Sequence, residues 1–386
     1  MLNRMQLPNL KSQLPDLKLP NLKGKSLTGS IGGSRSKALV GLEIAADSVA
    51  AAELRTPAGE LGEVAVAPLA EGVVREGEVS DPEALASALR DLFAEHRLPR
   101  RVRLGIANQR VAVRTVRLPA IDDPSELEAA VRFQAQEVLP MPLDQAVLEH
   151  QVVGGAAATE GSPASIDVLV VAARREMIAA ALHPLHEAGL EPVGIDLSAF
   201  GLIRALSESG VAPEEDGAPE GTDEVTLFCD LGDTTNLVIA RKRSCLFARL
   251  SPVGLGGIAS SLAAETGLTV EHARQWIDHV GLKADPETIG GDPGAVGATR
   301  QALATGADAL QAELRLSIDF YAAQEGARPV SRIVLSGPGS AVPGLANAIG
   351  DGLSLPFDVA VPSALRGLDA ATAARVTLPY GIALAA

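Results

Sequence analysis

At 386 residues, with 47% hydrophobic but only 3% aromatic side chains, the chain is long enough for about two domains with cores of Ala, Val, Leu and Ile, which excludes wholesale disorder. The net charge of −15 conceals a basic tail: residues 1–37 carry +6 and leave −21 on the rest, and a globule that acidic excludes nucleic acid as a partner. With no apolar run of about 18 residues and no signal-peptide order, the chain is expected to stay in the cytosol, with Cys229 and Cys245 as reduced core thiols.

The tail repeats Leu7-Pro8-Asn9-Leu10-Lys11, Leu14-Pro15-Asp16-Leu17-Lys18 and Leu19-Pro20-Asn21-Leu22-Lys23. Proline at this frequency forbids a stable helix, so residues 1–37 read as extended and mobile. Two roles stay open for them, a merely soluble segment or a contact with anionic lipid at the membrane surface. Strand patterning begins with a hairpin, Ala38 to Ile44 and Ser48 to Arg55. A helix follows at Pro82 to Glu95, with Ser80 and Glu83 as a capping box and Leu85, Leu89, Leu92 and Phe93 as its buried stripe. Strands are expected at Arg101 to Ile106 and Val111 to Leu118. Pro124 then opens a helix that Pro140 ends, and a strand at Asp167 to Ala172 precedes a helix around Met177 to Ala188.

The acidic, Gly/Pro-rich stretch Gly210 to Glu224 reads as a lobe boundary or surface loop, and strands resume from Val225 through Leu250. Leu303, Ala307, Leu310, Leu314, Ile318 and Tyr321 line one face of a helix at Arg300 to Gln324. A buried strand, Arg332 to Ser336, runs into Gly337-Pro338-Gly339-Ser340.

The segment from Val40 to Ser48 can be laid over Phe228 to Thr235 with the acids Glu43 and Asp230 in register. Each reads strand, acid, aliphatic, small residue, turn, hydroxyl, strand. An acid at a strand end can hold hydrated Mg²⁺, and a turn with inward N–H and hydroxyl groups can grip phosphate. Singly, each is also an ordinary β-hairpin. As a facing pair, with a Gly-rich loop after a later strand, they form a nucleotide clamp.

From Ala38 onward the chain resembles the PilM family of type IV pilus assembly proteins, relatives of the cell-division protein FtsA. The resemblance is carried by Arg114, Leu118-Pro119 and Leu139-Pro140-Met141-Pro142-Leu143-Asp144 within Val102 to Val153, by Ala188-Gly189-Leu190 with Ile195-Asp196, by Asp230-Leu231-Gly232 with Thr234-Thr235-Asn236, by Ser317 to Tyr321, and by the Gly337 loop. It implies an α/β, actin-like ATPase fold: two lobes, each a mixed sheet flanked by helices, plus a small inserted α/β subdomain. The expected boundaries are a tail at 1–37, the start of the first lobe at 38–121, the insert at 122–190, a return to the first lobe and an acidic loop at 191–224, the second lobe at 225–362, and a C-terminal return to the first lobe at 363–386. The resemblance also implies ATP and Mg as ligands of Asp230, Gly232, Asp233, Thr234, Thr235, Asn236, Gly337, Gly339, Ser340, Glu43 and Ser48, with Asp230 and Glu43 holding Mg through water. Its implied partners are a peptide of a PilN-like inner-membrane protein, bound in a groove between the first lobe and the insert, and pilus motor components. The implied place is the cytoplasmic face of the inner membrane.

The first hairpin departs from the family's Asp-Ile-Gly-Ser-Ser-Ser and following Lys. This chain has Glu43, Ala45, Ala46, Asp47, Ser48 and Ala50. Ala45 resists a positive φ that Gly allows, Asp47 repels phosphate, and Ala50 supplies no cation. Arg274 and Ile277 stand at the family's nucleotide-contacting Glu and Lys, and Pro338 replaces a Gly. Hydrolysis is therefore expected to be weak or absent, and the function a scaffold or adaptor. The alternatives are a working Mg-ATPase that switches partner affinity and an FtsA-like filament protein. His183 and His186 read as a surface pair, Met177 and Trp276 as core, and Phe133, off its helix's apolar stripe, either as a partner surface or as packing under a strand.

Overall fold

Strand alternation sorts the residues of two five-stranded sheets onto opposite faces, and the sheets share one plan. In the computed structural model, which describes residues 38–384 apart from 57–58, 76, 159–162, 208–223 and 325, the first sheet has the order β10-β6-β1-β2-β3. Here β1 is Leu39–Ile44, β2 Ser48–Leu54, β3 Leu61–Pro68, β6 Arg101–Ile106 and β10 Glu191–Leu197, with the two-residue strands β4 (Val74–Arg75) and β5 (Glu78–Val79) between β3 and β6. The second sheet has the order β13-β12-β11-β14-β15, built from β11 (Val225–Leu231), β12 (Thr235–Arg241), β13 (Ser244–Ser251), β14 (Arg332–Ser336) and β15 (Phe357–Val359). In each, an antiparallel three-strand meander is joined by two strands that extend the sheet in parallel.

Three helices start at an Asp-Pro step. Asp81 caps α1 (Pro82–Glu95), Asp123 caps α2 (Pro124–Val138) and Asp292 caps α7 (Pro293–Ala322), each carboxylate accepting a first-turn backbone N–H. The cap of α1 is thus Asp81 rather than the expected Ser80. The long helix starts at Pro293, ahead of the expected Arg300, because Asp292-Pro293 is the stronger start signal. The other helices are α3 (Arg175–Glu187), α4 (Ser198–Ser207), α5 (Leu255–Thr266), α6 (Val270–Val280), α8 (Leu345–Asp351) and α9 (Ala370–Ala383).

With a period of two, Val40 and Leu42 of β1 point into a core shared with α1 and α3, and Leu227, Cys229 and Leu231 of β11 into one shared with α5 to α8. The opposite faces look toward each other across α4 and α9, which form a third core with Leu54, Phe228, Val238 and Val334. Close approach of these helices depends on glycine, since a Cβ on Gly381 would overlap the carbonyl of Gly201. Glu43 and Asp230 each end a central strand on this inner face. Alternation thus aims both acids at the space between the sheets.

A three-stranded sheet of order β7-β9-β8 lies between β6 and β10 in sequence, with β7 at Ala112–Pro119, β8 at Ala146–Ala156 and β9 at Ser165–Arg174. It begins at Ala112, ahead of the expected Asp122, because β7 pairs with β9. Helix α3 lies within the expected 122–190 segment but packs on α1 of the first lobe. The 1–37 tail and nearly all of the acidic 210–224 stretch lie outside the described residues. No helix among the described residues is long and apolar enough to cross a membrane.

Candidate functional site

The β1–β2 and β11–β12 turns meet over a cavity of about 30 Å³, room for a few water molecules, lined by Glu43, Ala45, Asp47, Ser48, Asp230, Gly232 and Asp233 among others. Of the residues expected to hold nucleotide, Thr234, Thr235, Asn236, Gly337, Gly339 and Ser340 lie outside this lining. Several hydroxyls are engaged within the chain. Thr235 Oγ1 donates to the Val253 carbonyl at 2.6 Å, Ser340 Oγ to the Gly337 carbonyl at 2.6 Å, and Ser48 Oγ to Asp47 at 2.8 Å. Gly337 has φ of +81°, and a Cβ there would stand 2.5 Å from Asp230 Oδ1. Glycine is therefore required beside the acid.

The acids are strongly perturbed. Burial pushes Asp230 up to about 7. Burial, then Asp230 and Asp47, hold Glu43 well above the usual carboxylate range against the pull of Arg375. Beside Asp230 in the strand register, the buried Asn236 Nδ2 and Ser336 Oγ have no hydrogen-bond partner.

Asp47 does more than oppose phosphate. Its Oδ2 accepts from Arg375 at 3.1 Å and from Arg274 at 3.5 Å, while Arg274 also forms a two-pronged bond to Asp233, one prong at 2.8 Å. For Arg274, burial works downward but the Asp233 bond and the charges of Asp233, Asp47 and Asp278 raise its pKa. The sequence marked Arg274 only as a departure, and Arg375 went unnoticed. Its signal was there, because Arg375 is the one charged residue between Ala370 and Ala383, and a lone cation in a helix that buries most of its length needs a partner. The expected strain at Ala45 is absent, since neither Ala45 nor Gly232 has a positive φ. A Cβ on Gly232 would meet only the Thr234 carbonyl, at 3.5 Å. Ile277 is buried in the second-lobe core, away from the cavity.

Tested against Mg-ATP, the residues fit in part. Asp230 and Glu43 have the chemistry to hold hydrated Mg²⁺, and the two orphaned polar atoms beside Asp230 could bond a ligand. A triphosphate does not fit this arrangement, because four acidic side chains face a small cavity whose lining arginine, Arg375, is already paired with Asp47.

A second concavity, about 70 Å³, lies between the first lobe and the three-stranded sheet. On β9, Val168, Val170 and Ala172 pack into a core with Val131 and Ala135 of α2. Val171 and Ala173 therefore face the other way, beside Val147 and Glu149 of β8, toward Ile106, Ile178, Ile195 and Phe200. An apolar strand with two apolar faces was visible in the sequence, but not what its second face meets. Burial first, then Glu128, pushes Glu149 up to about 7 against Arg132. Phe133 is 69% exposed, which rules out packing under a strand. Met177 and Trp276 are partly buried against cores. Among the described residues no group of three or more metal-ligating side chains includes His183 and His186. Cys229 and Cys245 are free and buried, with the Cys245 thiol pushed up to about 12.

The family model of the type IV pilus assembly protein PilM matches residues 41–377. Among solved structures, a PilM-PilN type IV pilus biogenesis complex is 25% identical, with 91% of this chain and 98% of that chain covered and a TM-score of 0.71. Ethanolamine utilization protein EutJ from Carboxydothermus hydrogenoformans is 14% identical over 90% of each chain, with a TM-score of 0.50. Together with the duplicated sheets, these likenesses show the expected actin-like ATPase fold.

Proposed function

The chain belongs to the PilM family of type IV pilus assembly proteins, and on that premise we propose that it is an adaptor which holds a peptide of a PilN-like inner-membrane protein in the groove, at the cytoplasmic face of the membrane, with weak or no use of ATP. The observation that carries this is the groove itself, where Val147, Val171, Ile178, Ile195 and Phe200 leave an apolar surface partly open beside two carboxylates, Asp196, which is paired with Arg204, and Glu149. Such a surface takes an apolar side chain of an extended peptide, and Glu149 can accept from a cation or N–H that flanks it. The PilM-PilN complex supports the choice of partner. The acids of the self-paired cleft favour the adaptor over the Mg-ATPase. Calorimetry with the N-terminal peptide of the cognate PilN-like protein tests the reading: heat of binding, with slowed hydrogen exchange in β8 and β9, is expected. No binding and no protection at high peptide concentration would refute it.

A further inference from the structure

We infer that Arg274 and Arg375 are built-in counterions that latch the two lobes together across the cleft, in place of a bound nucleotide. The charges alternate along one line, Asp233, Arg274, Asp47, Arg375. Asp233 and Arg274 belong to the second lobe, in the β11–β12 turn and α6, while Asp47 lies in the β1–β2 turn and Arg375 on α9, which packs on β1 and β2. The step from Arg274 to Asp47, at 3.5 Å, therefore crosses between lobes. Asp278 of α6 also feels the first lobe: burial raises its pKa, Arg375 lowers it and Asp47 raises it. Ser48 accepts from Arg375 at 3.0 Å and fixes the guanidinium against the first turn.

A phosphate site needs surplus cations or free backbone donors. Here Asp47, Asp233 and Asp278 match or exceed the two arginines. The Ala45 N–H donates to the Ser48 carbonyl at 2.9 Å and the Gly232 N–H to the Thr234 carbonyl at 3.1 Å, so these turn donors are engaged as well. The same Asp47 that departs from the family's pattern is the joint of the latch. One substitution thus both repels phosphate and supplies the link that phosphate would otherwise make. This inference does not depend on what binds the groove.

The test uses the full chain with Mg-ATP and inorganic pyrophosphate as probes, read by calorimetry and by hydrogen exchange at residues 44–48 and 231–236. The wild type is expected to keep both turns protected without nucleotide, and about 1 mM Mg-ATP should leave that protection unchanged. Arg274→Gln should speed exchange at both turns by about tenfold with the distant sheet cores unchanged. Asp47→Asn removes the carboxylate that pairs Arg375 while Arg274 keeps Asp233, so pyrophosphate affinity should rise about tenfold, and adding Arg375→Gln should remove the gain. Should a variant fail to fold, the wild type decides alone. Fast exchange at the turns that slows on adding Mg-ATP would overturn the latch, as would unchanged exchange in a folded Arg274→Gln, or a pyrophosphate affinity that Asp47→Asn leaves unaltered.

Discussion

The cleft and the groove are both concavities made by facing sheets, and they differ in what meets their walls. In the cleft, Arg274 and Arg375 are matched by Asp233 and Asp47 of the same chain, whereas in the groove Val171 and Ile195 present apolar surface that stays partly open. Paired, partly buried charges resist a ligand, since it must first break bonds whose desolvation has already been met. Open apolar surface invites one. The difference teaches that a site visible as a motif is not by that alone an open site.

The groove side of this contrast is broken most directly by Val171→Gln. The side chain is half-buried on the groove face, and an amide there opposes the burial of an apolar peptide residue. Peptide affinity should fall by about tenfold or more, with the melting temperature nearly kept. Binding that survives this change would move the peptide off the groove.

The cleft side is sharpened by Asp230→Asn. With a folded pKa of about 7 against 3.8 for the free side chain, the stabilising contribution of the neutral carboxyl is fully present below 3.8 and is lost as pH rises through 7. Asn keeps the neutral state. At pH 8 the variant should therefore be more stable than the wild type by about 1–3 kcal/mol, and the gain should shrink toward pH 5 in thermal unfolding. A loss of stability at pH 8 that depends on added Mg²⁺ would instead restore the cleft as a cation site.

Glu149→Gln has the smallest expected effect. The folded pKa of about 7 lies above the ordinary 4.5 of a free glutamate, so the wild-type carboxyl ionises as pH rises through 7. A cationic or N–H-donating peptide should then bind a few-fold more tightly at pH 8 than at pH 6, and the Gln variant should show no such trend. An identical pH profile in both proteins would remove Glu149 from recognition.

Much of the fold was legible because it rests on local signals. Pro82 and Pro124 started their helices as expected, although the Asp292-Pro293 step was passed over, and apolar runs marked the strands β1, β11 and β14. What escaped was long-range. Arg375 meets Asp47 from more than 300 residues away, and no spacing rule reaches that far. The place of β7 in the three-stranded sheet escaped as well, because it comes from pairing with β9, which its own pattern does not specify. At Ala45 the sequence argument supposed a left-handed turn that the backbone does not adopt. The residue proved informative through its neighbour Asp47 rather than through its own φ.

The central claim, an adaptor whose peptide site works without a nucleotide cycle, is tested most directly by titrating the PilN-like N-terminal peptide into the full chain with and without Mg-ATP. The account predicts the same affinity in both, to within about twofold, because the latch already holds the lobes as a ligand would. An affinity that changes by about tenfold or more on adding Mg-ATP would contradict it and make the cleft a working switch.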